Sequence, residues 1–250
     1  MGFTEGPLPW EKCQYSHLAK TVQSAVNIPV IAVGRIEPED GEKLIAENSC
    51  GFVAMGRQLL ADPELPNNLI NNSPEKIRPC INCFVCVAQN FWNGEPVCAV
   101  NARLGNYEVE IAFPQTSKNV VIVGGGPAGL ECARIAASRG HKVTLLEQMK
   151  RLGGTALFSS LTTPKNGDLI KWFERVLEDS EVEIRKGFHA DRKSIMSFKP
   201  DAVVIATGSR SPKSGIKGSD LPHVLSRDQL RDLMQGAAVS YTHLTLPTKA

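Results

Sequence analysis

Residues 119–147, NVVIVGGGPAGLECARIAASRGHKVTLLE, constrain the fold more than any other stretch of the chain. The apolar run at 120–123 reads as a buried strand that ends in three glycines. Gly124, Gly126 and Gly129 take the positions of a G-x-G-x-x-G turn. The first permits a tight turn, the second lets backbone approach a pyrophosphate, and the third allows close helix–strand packing. Pro127 and Ala128 open the following helix, whose N-terminal amides and dipole favour negative charge. Gly140 stops that helix, and a second strand ends at Glu147, 18 residues beyond Gly129. A carboxylate at that place accepts hydrogen bonds from ribose hydroxyls. A glycine-rich turn in an unrelated α/β protein would share the loop. It would explain neither Glu147 nor Leu152-Gly153-Gly154 just beyond it.

The alternation continues with a helix at 168–178, a strand at 182–185 and a strand at 202–206. Thr207 and Gly208, which follow, match the second strand-end motif of two-dinucleotide flavoproteins. With Gly153 and Gly154 they resemble an FAD domain more than a simple NAD dehydrogenase. Lys142 reads as a solvent-facing strand residue that gives no sign of a 2′-phosphate site, and Cys132 as a small core residue on the first helix.

Upstream lies a second kind of signal, CINCFVCVAQNFWNGEPVC at 80–98, with Cys80, Cys83, Cys86 and Cys98 spaced C-x2-C-x2-C-x11-C. The chain has seven cysteines in all and no basic, apolar leader at its N-terminus, so a reducing, cytoplasmic setting is expected rather than a disulfide framework. Four thiolates would satisfy zinc, whose usual signature is paired C-x2-C knuckles. The compact triple with one remote partner fits a [4Fe–4S] cube better, although spacing alone leaves both open. Pro79, Gly94 and Pro96 predict little regular structure here.

Before the cysteines, two αβ units are expected. A helix at 17–26 carries Leu18, Val22 and Val26 on one face, and IPVIAV at 28–33 reads as a buried strand. A helix at 38–47 and a strand at 51–55 follow. Each strand is succeeded by the same dipeptide, Gly34-Arg35 and Gly56-Arg57. An arginine after a strand is often a surface ion-pair residue. A repeated Gly-Arg at consecutive strand ends also suits phosphate, with glycine amides approaching closely and the guanidinium clamping the oxygens. Phosphates of (β/α)8 barrels bind after strands seven and eight, but a whole barrel needs about 250 residues. The first piece can only be the last two units of one.

In order, PVIAVGRI, FVAMGRQLLADPEL, IRPCINCFVCVAQ, VCAVNARLG and VVIVGGGPAGLECA resemble the multidomain NADH:flavin oxidoreductases. These old-yellow-enzyme-like proteins include 2,4-dienoyl-CoA reductase, trimethylamine dehydrogenase and the clostridial enoate reductases. The resemblance spans 17–211. It implies an α/β chain made of part of an FMN-type (β/α)8 barrel (1–75), a cysteine-rich [4Fe–4S] segment and linker (76–112), and a truncated Rossmann-like FAD/NAD(P)-binding domain (118–238). It also implies that Arg35, Gly56 and Arg57 contact FMN and that the four cysteines hold the cluster. Gly124, Gly126, Ala128, Gly129 and Glu147 would then form the FAD loop. Thr155 departs from the Gln that many of these reductases carry after the double glycine, which puts one flavin contact in doubt. The implied chemistry is an electron relay from NAD(P)H through FAD and the cluster to FMN, reducing an activated C=C bond in a small molecule.

Two other classes stay open on sequence: a self-contained electron-transfer or nucleotide-binding module, and a structural zinc-site interaction protein. The net charge of +2 gives no reason to expect nucleic acid, and no apolar run is long enough for a membrane. Homo-oligomer formation is left open. His17 and His223 read as surface residues, so no catalytic acid is nominated; it is expected in earlier barrel strands. The final stretch, VSYTHLTLPTKA at 239–250, resembles a translated sequencing adapter and reads as a non-native tail, the alternative being a C-terminal strand.

Overall fold

The computed structural model describes residues 11–106, 112–209, 215–226 and 228–230. The chain divides into two compact units, Met1–Val109 and Glu110–Ala250, and the cysteine segment belongs to the first. The fold is α/β, and both sheets are parallel.

In the first unit the order is α1 (Ser16–Ala25), β1 (Ile31–Val33), α2 (Pro38–Ala46), β2 (Phe52–Ala54), α3 (Gly56–Ala61), α4 (Leu65–Ile70) and α5 (Val85–Phe91). Strands β1 and β2 pair in register from Ile31↔Phe52 to Val33↔Ala54. Ala32, Ile36 and Cys50 form a small core with Leu44, Val53 and Met55 packed against it. One expectation needs correction. The run at 28–33 is not a fully buried strand, because only Ala32 is enclosed while Ile31 and Val33 face solvent. Likewise Leu18, Val22 and Val26 of the first helical stripe are exposed. Among the described residues no helix covers those faces, so the apolar pattern has nothing to pack on.

The cysteine segment also holds more structure than its breakers suggest. Phe84 takes a left-handed conformation (φ 61°), and α5 starts immediately after it. The segment is fixed at both ends by buried polar groups. The Arg78 N–H donates to Asp62 Oδ2 (2.8 Å), Arg78 Nη1 donates to the Val100 carbonyl (2.8 Å), and Asn101 Nδ2 donates to the Leu60 carbonyl (2.8 Å).

The second unit runs β3 (Asn119–Val123), α6 (Pro127–Ser138), β4 (Lys142–Glu147), α7 (Gly154–Ser159), α8 (Lys165–Glu178), β5 (Glu183–Lys186), α9 (Arg192–Ser197) and β6 (Ala202–Ile205). Its sheet has the order β5-β4-β3-β6. After β3 the chain steps outward to β4 and β5, then returns to the other side of β3. The strand order therefore reverses beside β3, where ligands of open α/β sheets gather at the carboxyl ends. Helix α6 packs on β3 and β4 and against α8, which turns Leu169, Ile170, Trp172, Phe173 and Leu177 inward. Val121, Val123 and Leu146 meet Phe188, Ile195 and Phe198. The helix stop at Gly140 (φ 81°) and the exposure of Lys142 agree with the sequence reading. Cys132 is only half-buried. The tail at 239–250 lies outside the described residues.

Candidate functional site: an anion cavity beside a cysteine loop, and a glycine-loop cavity

Parallel pairing of β1 and β2 puts their carboxyl ends side by side, and this brings the two Gly-Arg dipeptides together. Gly34, Arg35, Gly56 and Arg57 all line one cavity of about 270 Å³, with Tyr15, Gln58, Asn82 and Cys80. Gly34 sits at φ +124° with its α-carbon against the Tyr15 ring; an added Cβ would lie 2.6 Å from Tyr15 Cδ2. Gly56 instead has open space where a Cβ would go and starts α3. The Arg57 guanidinium lies 4.6 Å from the centroid of the Phe84 ring, and its Nη1 is buried without a hydrogen-bond partner. A buried cationic donor without an acceptor is costly, and an anionic oxygen in the cavity would satisfy it.

The cysteine loop turns through two left-handed residues, Asn82 (φ 51°) and Phe84 (φ 61°). Asn82 N–H donates to Cys80 Sγ at 3.4 Å. Burial pushes the Cys80 thiol up from its ordinary value, against the pull of the Asn82 amide and the Arg57 charge, while Cys98 and Cys86 add to the rise. Burial likewise raises Cys86, opposed by the Val87 amide and reinforced by Cys98 and Cys83. All four thiols thus share one electrostatic neighbourhood. Among the described residues, no three His, Cys, Asp or Glu side chains converge to hold a single ion.

The second cavity, about 470 Å³, lies at the carboxyl ends of β3, β4 and β6. Gly124, Gly126, Ala128, Glu147, Gly154, Thr207 and Gly208 line it, joined by Thr155, Phe188 and His189. The glycines serve two different ends. A Cβ on Gly124 would come 2.3 Å from the Ala206 carbonyl, and one on Gly129 would collide with the Gly124 carbonyl at 1.9 Å. Both are demanded by close backbone packing. Gly126 has nothing within 4 Å of its Cβ position; it caps α6 and opens on the cavity. That is where a pyrophosphate could reach the helix amides.

Glu147 is buried, with both carboxylate oxygens accepting backbone N–H groups. Oε2 takes Gly125 N–H at 2.6 Å and Oε1 takes Met149 N–H at 2.7 Å. It braces the glycine loop, and each oxygen keeps a lone pair for a ribose hydroxyl. Gly153 N–H donates to the Gly125 carbonyl at 2.8 Å, and a Cβ on Gly154 would lie 3.2 Å from Gly126 Cα, so the double glycine packs directly on the loop. Gly153 itself is not among the cavity-lining residues.

Sequence reasoning missed Gln58, Asn82, Tyr15, Phe188 and His189. Of these, Gln58 follows a Gly-Arg pair and Asn82 lies between Cys80 and Cys83, so both stood beside a recognisable signal. His17 and His223 are exposed and line neither cavity.

Residues 4–76 match the NADH:flavin oxidoreductase / NADH oxidase family, and residues 94–192 match the pyridine nucleotide-disulphide oxidoreductase family. The NADH oxidase of Thermoanaerobacter brockii is 42% identical over 223 residues, covering 86% of this chain and 34% of that protein. The chain belongs to the NADH:flavin oxidoreductase family. A second relative, the cinnamate reductase of Clostridium sporogenes, is 38% identical over 219 residues, 86% of this chain and 33% of its own length. Among solved structures, a 2-naphthoyl-CoA reductase in complex with 2-naphthoyl-CoA superposes with a TM-score of 0.81 at 29% identity, covering 86% of this chain and 34% of that one. The chain therefore spans about a third of the length of the family members it matches. Among the described residues, no helix is long and apolar enough to cross a membrane.

Proposed function

We propose that the chain is part of a flavin- and iron–sulfur-dependent oxidoreductase. Electrons from NAD(P)H would pass through FAD and a [4Fe–4S] cluster to FMN, and on to an activated C=C bond of a small molecule in a reducing cytoplasm. When bound, those groups supply the hydride and single-electron chemistry that side chains lack.

The side chains bind and orient. Cys80, Cys83, Cys86 and Cys98 would hold the cluster, and the Asn82 amide on Cys80 Sγ is the kind of hydrogen bond that tunes a cluster potential. Gly34, Arg35, Gly56 and Arg57 would receive the FMN phosphate at the end of a barrel of which 1–75 would be the last part. Gly124, Gly126 and Ala128 would seat the FAD pyrophosphate on a turn that Gly129 keeps tight, with Glu147 on its ribose, Gly154, Thr207 and Gly208 lining the Rossmann-like cavity and Gly153 packed on the loop behind it. The names cinnamate reductase and 2-naphthoyl-CoA reductase, each for a reductase of an unsaturated acid or its thioester, support the substrate class.

The observation that carries this reading is that Cys80 lines the same cavity as both Gly-Arg pairs. A structural zinc knuckle has no need of a neighbouring anion site. Anaerobically purified full-length protein should contain iron and acid-labile sulfide near about four each per chain. Zinc without sulfide would overturn the reading.

A further inference from the structure

Between the anion cavity and the cysteine loop stands a side chain that neither motif contains. Gln58 follows Arg57 in the first turn of α3, and its carboxamide engages the loop at two points. Nε2 donates to the Arg78 carbonyl at 2.8 Å, and Oε1 accepts the Cys80 N–H at 2.9 Å. Arg78 is itself immobilised, since its N–H is held by Asp62 Oδ2 and its Nη1 by the Val100 carbonyl, each at 2.8 Å. A carboxamide offers a donor and an acceptor on separate atoms of one planar tip, and Gln carries it on a longer stem than Asn.

We propose that Gln58 is a positioning residue for the metal centre. By fixing the backbone at Cys80 it sets the direction in which the first thiol leaves the loop. It also fixes the start of the turn through Asn82 and Phe84 that aims Cys83 and Cys86. Its neighbour Arg57 supports the far end of that turn through the Phe84 ring. The two consecutive residues thereby register the cysteine loop against the anion cavity, which both of them line.

The proposal rests on the cluster reading, and one experiment separates the two. Gln58→Ala, Gln58→Met and Gln58→Glu are made in the full-length protein and loaded with iron and sulfide anaerobically. Iron release to a chelator and the electron paramagnetic resonance spectrum of the reduced protein are then compared with wild type. Gln58→Ala and Gln58→Met should lose iron roughly tenfold faster, in the range seen when groups supporting metal ligands are removed, and should show shifted g values. Gln58→Glu keeps the acceptor for the Cys80 amide and should restore the g values towards wild type. Should Gln58→Ala fail to fold, Gln58→Met, of similar length but without hydrogen bonding, carries the test. Wild-type spectra and iron release in Gln58→Met, with only a lower melting temperature, would reduce Gln58 to a prop for α3 and overturn the proposal. Wild-type protein without acid-labile sulfide would overturn the cluster reading itself, before any variant is compared.

Discussion

The two parallel sheets of this chain both present glycine at their carboxyl ends, but they differ in what covers them. In the second unit Val121 and Leu145 are completely buried (0%), because α6 and α8 cover one face while Phe188, Ile195 and Phe198 pack on the other. In the first unit Ile31 and Phe52 stay 63% and 58% exposed. Parallel sheets ordinarily bury both faces, so the second sheet meets its own requirement and the first does not among the described residues. The edge strand β6, with Ile205 exposed, shares the open character on a smaller scale. The difference is what the proposed reading of residues 1–75 as one arc of a barrel expects: an arc would have this local structure and these strand ends, while its packing partners would lie elsewhere in the barrel.

The largest effect that could break this comparison is a pair of truncations. Leu145→Ala should destabilise the second unit by about 2–5 kcal/mol, the range for a buried leucine that leaves a cavity. Trp172, buried within that unit, reports the loss by its fluorescence during urea unfolding. Ile31→Ala removes an exposed side chain and should change stability by less than about 0.5 kcal/mol, read by hydrogen exchange of the β1 and β2 amides. A loss at Ile31 as large as that at Leu145 would mean the first sheet is covered after all.

The same contrast governs what could be read in the sequence. The second unit was legible because its signals are local: an apolar run, a glycine turn, an acid at a set distance. The first unit's strands were recognised by the same apolar runs, but the inference from apolar to buried failed because burial depends on the partner. The cysteine loop could be read as a candidate ligand set but not as a fold. Its anchors are Asp62 to Arg78 and Leu60 to Asn101, pairs far apart in sequence and joined only by the folded chain. Helix α5 was hidden because its start is a left-handed Phe84, not a capping residue with a sequence signature. Glu147 was identified for its position, yet its two amide bonds, which brace the loop, have no counterpart in any spacing rule.

Glycines of the second unit sharpen the comparison at an intermediate scale, because there packing and ligand space lie three residues apart. A Cβ at Gly129 would sit 1.9 Å from the Gly124 carbonyl, a backbone atom that cannot swing away. Gly129→Ala should therefore cost about 1–3 kcal/mol or more, as overpacked sites do. At Gly126 the Cβ meets nothing within 4 Å, and φ is −78°, which any residue adopts. Gly126→Ala should cost no more than about 1 kcal/mol, the scale of a helix cap. Adenine dinucleotide retention measured beside Trp172 melts separates the two roles. Gly126→Ala should lose nucleotide with the melt nearly intact, and Gly129→Ala should lose both. Undiminished nucleotide retention in Gly126→Ala would remove the pyrophosphate from that corner.

The smallest expected effect concerns pH, where the two units lean in opposite directions. In the first, Lys12 Nζ lies 3.0 Å from both Asp40 Oδ2 and Glu37 Oε2, and pairing with these two carboxylates raises its pKa above the ordinary 10.5. A raised folded pKa means the contribution is fully present below 10.5 and lost as pH rises through the higher folded value. The group is partly exposed and screened by solvent, so its size is about 0–1 kcal/mol. In the second unit, Asp191 caps α9: its Oδ1 accepts the Ser194 N–H at 2.7 Å, and Ser194 Oγ accepts the Asp191 N–H at 2.9 Å. The Ser194 amide lowers the Asp191 pKa below its ordinary 3.8. That contribution is present above 3.8 and is lost as pH falls through the lower folded value. Lys12→Met should flatten only the alkaline limb of a stability–pH curve followed by circular dichroism. Asp191→Asn, which still caps the helix but does not titrate, should flatten only the acid limb of the Trp172 transition. An effect of Lys12→Met on the alkaline limb of the Trp172 transition, which reports the second unit, would show that the two units unfold as one and that their separate packing does not make them separately stable.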